Sequence, residues 1–145
     1  MRDIDEISGD VLDVALRLHR ELGPGLIESV YETLLAIKLQ ESGYAVHRQK
    51  PIDISFEGIT FPAAFRIDLL IDDRLLVEIK SVDQLHAAHA KQLLTYLRLT
   101  NQPVGLLINF GGATLKEGIR RIVNDHTPSA SSRLRVNQQQ GYNDV

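Results

Sequence analysis

Two runs, Arg66-Ile67-Asp68-Leu69-Leu70-Ile71 and Leu75-Leu76-Val77-Glu78-Ile79-Lys80, stand on either side of Asp72-Asp73-Arg74 and constrain the fold more than any other stretch. Both are dense in aliphatic residues, and the polar triplet between them has hairpin length. If the turn is those three residues, Ile71 pairs with Leu75 and Asp68 falls opposite Glu78; a loop one residue shorter or longer makes the carboxylates diagonal or offset. Period-2 alternation sets Glu78 and Lys80 on one face and Val77 and Ile79 on the other. Two carboxylates and an ammonium then crowd one patch of an otherwise aliphatic ribbon. Adjacent carboxylates repel unless a cation lies between them, and a hard divalent ion such as Mg²⁺ takes such oxygen ligands. The same pattern in isolation is also that of an ordinary cross-strand salt bridge on a surface hairpin.

Around this hairpin the chain reads as one domain. Helical spacing of Ile7, Val11, Val14, Ala15, Leu18 and Leu22 predicts a first helix, stopped by Gly23-Pro24-Gly25. A second, from about Ile27 to Ser42, turns Val30, Leu34, Ile37 and Leu39 toward the core and ends at Gly43. Tyr44 to Ile54 reads as a strand with Pro51 at an edge or break. Ser55-Phe56 and Ile59-Thr60-Phe61 flank a Glu57-Gly58 turn, so a short strand is expected before Phe65–Ile71. A third helix covers roughly Gln84 to Thr100. Val104 to Phe110 is apolar throughout, as in a strand covered on both faces. Leu115 to Val123 is expected to be a short last helix, and Gly111-Gly112 a turn. The element order is thus α-α-β-β-β-β-α-β-α, an α/β domain over residues 1–126. The Ser-, Gln- and Asn-rich 127–145 has little to bury and is expected to be a disordered tail.

Composition removes several alternatives. The chain has no cysteine, so disulfides, thiolate zinc sites and cysteine nucleophiles are excluded. No run of 18 apolar residues exists, and Met1-Arg2-Asp3 leads directly into an acidic helix, so neither a membrane span nor a secretory leader is expected and the cytoplasm is the default address. A net charge of −3 speaks against coating nucleic acid with bulk positive charge. It does not exclude an enzyme whose carboxylates are neutralised by bound cations.

Two further groups converge on the hairpin. Glu28 lies in the first turn of the second helix, with Tyr31 on the same face. Gln92 and Tyr96 share a face of the third. Gly25-x-x-Glu28-x-x-Tyr31 resembles the signature of the GxxExxY protein family, a small bacterial group of the PD-(D/E)xK nuclease superfamily. The similarity extends over about residues 5 to 124, through Phe65–Leu70, Val77–Ser81, Gln92–Arg98 and Gly105–Phe110.

The resemblance implies a restriction-endonuclease-like αβββαβ core, a mixed sheet flanked by helices. It makes Asp68 the motif aspartate, Glu78 and Lys80 the acid and lysine of the E-x-K element, and Glu28 the accompanying helical glutamate. Gln92 and Tyr96 become the Q-x-x-x-Y element. The expected activity is Mg²⁺-dependent hydrolysis of nucleic-acid phosphodiesters, DNA favoured, with Mn²⁺ able to substitute. Glu28, Asp68, Glu78 and the Ile79 carbonyl would hold the metal. Arg48, Lys50, Arg66, Lys91 and Arg98 are candidates for backbone contacts, with Tyr31 beside them, and a homo-oligomer is left open. The alternative is a nucleic-acid- or protein-binding module that keeps the fold without turnover. His86 and His89, at i+3 with no carboxylate in register, are expected at a helix surface or site rim, His89 at the entrance one turn before Gln92. His19 is a polar helix-end residue within reach of Glu28.

Overall fold

The computed structural model describes residues 2–125; the expected tail, 127–145, lies outside them. The first helix, α1 (Ile4–Leu22), starts at Asp3, whose carboxylate accepts the Glu6 amide at 2.8 Å. It stops at Gly23, where φ is 72°. After α2 (Glu28–Glu41) come β1 (Val46–Phe56), β2 (Ile59–Ile71) and β3 (Leu75–Lys80). Helix α3 (Ala87–Thr100) crosses back to β4 (Val104–Asn109), and a 3₁₀ turn (Lys116–Gly118) leads into β5 (Ile119–Val123). The sheet runs β1-β2-β3-β4-β5. Strands β3 and β4 are parallel, joined by α3, and every other pair is antiparallel.

Each face of the sheet carries its own core. On one side Leu69, Ile71, Leu75, Val77, Ile79, Leu106 and Ile108 pack against Ile7, Val11, Val14 and Ala15 of α1 and Tyr31, Leu35 and Leu39 of α2. On the other, Phe65, Ile67, Leu70, Leu76 and Leu107 meet Leu93 and Leu97 of α3. Strand β4, covered on both faces, is buried at all six positions, as its unbroken apolar run predicts. Pro51 lies in β1, an edge strand whose outer amides need no partner.

Four expectations change. The segment Leu115–Val123 forms a 3₁₀ turn and a strand, not a helix. Leu115, Ile119 and Ile122 have helical spacing, but β4 has a free edge, and Val104↔Val123 to Ile108↔Ile119 pairing closes it. Ile119 then packs into one core and Ile122 into the other, which a one-sided helix could not do. Second, the two strands expected at Ile59–Phe61 and Phe65–Ile71 are one, β2. Between Ile52↔Phe65 and Ile54↔Phe61 the register shifts, with Ala63 at φ 48° absorbing the extra residues. Third, α2 is rotated from the expected orientation. Tyr31, Leu35, Ala36 and Leu39 are buried while Val30 and Ile37 face outward. The anchor is Tyr31, fully buried and stacked on Phe110 at 4.2 Å and 8°. Leu22, expected inside, is exposed.

Candidate active site

The hairpin turn is the three-residue one: Ile71 pairs with Leu75, Leu70 with Leu76 and Leu69 with Val77. Asp72 and Asp73 take the positive φ values of 51° and 55° that the reversal needs. The next pair is Asp68 and Glu78, and here backbone pairing gives way to side chains. The Asp68 amide donates to Glu78 Oε1 at 3.3 Å, and the Ile79 amide donates to Asp68 Oδ2 at 2.9 Å. The strands therefore part at the two carboxylates, opening the sheet there.

The side-chain alternation of β2 breaks at Asp68 while its register with β1 is kept. Ile67 and Leu69 are two residues apart yet belong to opposite cores, so alternation is broken between them. Across the pair, Gln49 of β1 sits at φ 51° between Arg48↔Leu69 and Lys50↔Ile67. Its side-chain amide donates to Asp68 Oδ1 at 3.1 Å and to Glu32 Oε1 at 2.7 Å. Glu32 is buried on α2 and ion-paired with Arg48 at 3.1 Å. Gln49 is thus a positioning residue missed in the sequence, where nothing but a polar residue in a strand marks it.

Glu78 is 6% exposed. Its carboxyl is pushed up to about 8, first by burial and then by the neighbouring Asp68 charge, with Lys80 pulling weakly the other way. Lys80, half-buried, forms no ion pair among the described residues. Glu78 and Lys80 lie on the α3 face and Val77 and Ile79 in the opposite core, as alternation predicts.

Glu28 reaches this corner from the other layer. Its Oε2 accepts the Ser81 amide at 3.2 Å, while Ser81 Oγ donates to the Leu26 carbonyl at 2.7 Å. The Gly23–Glu28 turn is thereby clamped to the end of β3. Gly25 stands at φ 104°, a backbone region that glycine alone enters readily. Tyr31 Oη donates to the Gly23 carbonyl at 2.5 Å and accepts the Leu26 amide at 3.3 Å. The G-x-x-E-x-x-Y spacing therefore has a physical meaning. The glycine makes the turn, the tyrosine pins it, and the glutamate extends from it. A nucleic-acid contact at Tyr31 is corrected by its 0% exposure.

From α3, Tyr96 stacks on Phe65 at 3.9 Å and 6°. Its hydroxyl is held above the usual phenol range by burial and then by the charges of Glu78 and Asp68. Gln92, one turn earlier, is exposed and needs no internal partner. His89 is half-buried and held below the usual imidazole range, by burial first, then by Lys80 and His86, with Glu28 opposing. It stands at the rim, accepting the His86 amide on Nδ1 at 3.2 Å. His19 does not approach Glu28: it is buried against Phe110, with Nε2 at 3.0 Å from the Gly112 carbonyl.

Of the basic residues, Arg48 is engaged by Glu32. Arg66 and Lys91 are exposed, Lys50 is half-buried, and Arg98 is half-buried with an Nε that has no hydrogen-bond partner among the described residues. The floor of the site is locked by Asn109, whose Oδ1 accepts the Val82 and Gly111 amides and whose Nδ2 donates to Val82 O. A Cβ on Gly111 would stand 2.2 Å from that carbonyl.

Glu28, Asp68, Glu78 and Lys80 are thus gathered around the carboxy-terminal end of β3. Among the described residues, however, no three His, Asp or Glu side chains stand close enough together to hold an ion. Each carboxylate is turned instead onto a backbone amide.

Residues 5–122 match the PD-(D/E)XK nuclease superfamily, and the chain belongs to it. Its α2-β1-β2-β3-α3-β4 succession is the restriction-endonuclease-like αβββαβ core. A similar solved structure is described as the crystal structure of SSO0001. It is 17% identical over 90% of this chain and 74% of that one, with a TM-score of 0.43. No curated protein matches the chain.

Proposed function

We propose that the chain is a metal-dependent nuclease of the GxxExxY group, hydrolysing phosphodiester bonds in nucleic acid, DNA first, in the cytoplasm. The cofactor in this reading is Mg²⁺, with Mn²⁺ able to replace it. One observation carries it: the buried Glu78 beside half-buried Asp68 at the open end of β3, with Lys80 two residues on and in no ion pair among the described residues.

The donor set fits a hard divalent cation. In its absence Glu78 holds its proton up to about 8, first because its carboxyl is buried and then because the Asp68 charge stands beside it. Asp68, Glu78 and the Ile79 carbonyl would hold the ion, with Glu28 completing its shell. When bound, the cation polarises the phosphoryl group and lowers the pKa of bound water. The remaining work belongs to the chain. The Lys80 ammonium orients the attacking water and offsets charge on the phosphorus. Gln49 holds Asp68 in place, Gln92 and Tyr96 position the lysine or a phosphate, and Arg66, Lys91 and Arg98 contact the backbone.

Purified protein is expected to cut labelled DNA with Mg²⁺ or Mn²⁺ and not with EDTA. Asp68→Ala and Lys80→Ala are expected to abolish cutting while keeping the native circular dichroism spectrum. Undiminished cutting by Asp68→Ala refutes the assignment. The absence of a three-carboxylate cluster among the described residues favours a second reading, a binding module without turnover. A calorimetric titration with Mn²⁺ separates the two, since that module takes up no ion at Asp68 and Glu78.

A further inference from the structure

The β1–β2 ribbon leaves the sheet at the catalytic end. Strand β2 pairs with β3 only from Leu69 to Ile71, whereas its pairing with β1 continues outward to Phe56↔Ile59. Directly paired residues share a face, and every second residue along a strand returns to it. Ile52/Phe65, Ile54/Phe61 and Phe56/Ile59 therefore form one row. The inner end of the row is core: Phe65 is buried with α3, and Ile52 and Ile54 pack beside it. The outer end is bare, with Phe61 65%, Phe56 69% and Ile59 70% exposed.

No carboxylate stands in this row. Asp53 belongs to the other face, where its Oδ1 accepts the Ala63 amide at 2.8 Å, and Glu57 is in the turn. The nearest ionic group in the row is Lys50, paired with Ile67 at its inner end. The row also abuts the site, since Ile67, paired with Lys50 at its inner end, is the chain neighbour of Asp68, and Phe65 stacks on Tyr96 of the same α3 that carries Gln92. A continuous apolar strip left open beside a catalytic centre marks a binding surface.

We propose that this row is a stacking platform for unpaired bases, so that the strand cut at Asp68 and Glu78 is single-stranded nucleic acid. The proposal rests on the nuclease reading of the site. Aromatic rings on a groove wall take successive bases with little sequence preference, because every base has a π face. From Lys50 to Phe56 the row spans about 20 Å at about 3.3 Å per residue, the length of roughly six stacked nucleotides at about 3.4 Å each. A duplex keeps its base faces inside the stack and offers the phenyl rings nothing. The lysine at the inner end and the lack of carboxylates suit a strand whose phosphates lead into the metal site.

The test uses the full chain in EDTA, so that no strand is cut, and fluorescence anisotropy with a labelled mixed-sequence oligodeoxynucleotide and its blunt duplex. The Phe56→Leu/Phe61→Leu variant is expected to bind the single strand about 10-fold or more weakly. The Phe56→Tyr/Phe61→Tyr variant is expected to bind as wild type, and duplex binding to be the same in all three. No single-strand binding by wild type, or equal binding by the leucine and tyrosine variants, overturns the proposal. So does a wild-type dimer in sedimentation that Phe61→Asp dissociates, which assigns the row to a second copy of the chain. Metal-dependent cutting of single strands that ignores Phe56 and Phe61 removes the platform and keeps the nuclease. Ring-dependent single-strand binding with no cutting in any metal supports the platform and removes the nuclease.

Discussion

Without a divalent cation, the folded protein is expected to lose stability as the pH rises from about 7 to 8, and Glu78 is the cause. Its carboxyl is moved from 4.5 up to about 8, mainly by burial and next by the Asp68 charge. Between those values the folded chain keeps a proton that the unfolded chain has released. The contribution is therefore complete below the unfolded value of 4.5 and is lost as the pH climbs through about 8. Each pH unit inside the interval is worth about 1.4 kcal/mol, and the whole interval up to roughly 5 kcal/mol. His89 acts in the opposite sense. Its folded pKa is depressed from 6.5, so its effect is a loss of stability as the pH falls below that value. The range above about pH 7 consequently belongs to Glu78. Urea unfolding in EDTA at several pH values reads the slope directly, with Glu78→Gln measured beside the wild type. The wild type is expected to lose on the order of 1 kcal/mol per pH unit, and the glutamine variant to stay level and be the more stable near pH 8. Equal slopes in the two proteins would refute the reasoning. Adding Mg²⁺ is expected to reverse the trend, because ion binding displaces the Glu78 proton and is favoured as the pH rises.

Gln49→Ala frees Asp68 from its side-chain donor and is expected to weaken Mn²⁺ binding about 10-fold in calorimetry, with a modest loss of stability because buried Glu32 loses the same donor. Tyr31→Phe keeps the stack on Phe110 but removes the hydrogen bond to Gly23, at an expected cost of about 1–2 kcal/mol in urea unfolding. An undiminished midpoint would mean that the turn does not depend on that hydroxyl. Gly111→Ala forces a methyl group against the backbone of Val82, whose carbonyl oxygen would stand 2.2 Å away and cannot swing aside as a side chain could. A loss of about 3 kcal/mol or more is expected by the same measurement.

Where local chemistry had one solution, the elements were legible. The turn at Asp72-Asp73-Arg74 separates two runs that keep their aliphatic residues covered in a single register, so the Asp68–Glu78 apposition follows from counting. Gly23-Pro24-Gly25 ends α1 because no helix passes through it, and the unbroken run in β4 has no polar face to give to solvent. The convergence of Glu28 on the end of β3 was legible through the family signature, although its clamp, Ser81 on Leu26 and Glu28, was not.

The tertiary structure decided the cases in which one pattern served two elements. Leu115, Ile119 and Ile122 satisfy a helix and a strand alike, and the free edge of β4, distant in the chain, chose the strand. Val30 and Ile37 fit a buried helical stripe as well as Leu35 and Ala36 do, and the Tyr31–Phe110 stack set the rotation. The break in alternation at Asp68 lies across from a positive φ at Gln49, where no glycine announces it. Amino-acid pattern determines which local conformations are cheap. The choice among them was made by hydrogen bonds and ring contacts between residues far apart in the chain, whose strength depends on burial that only the assembled layers create.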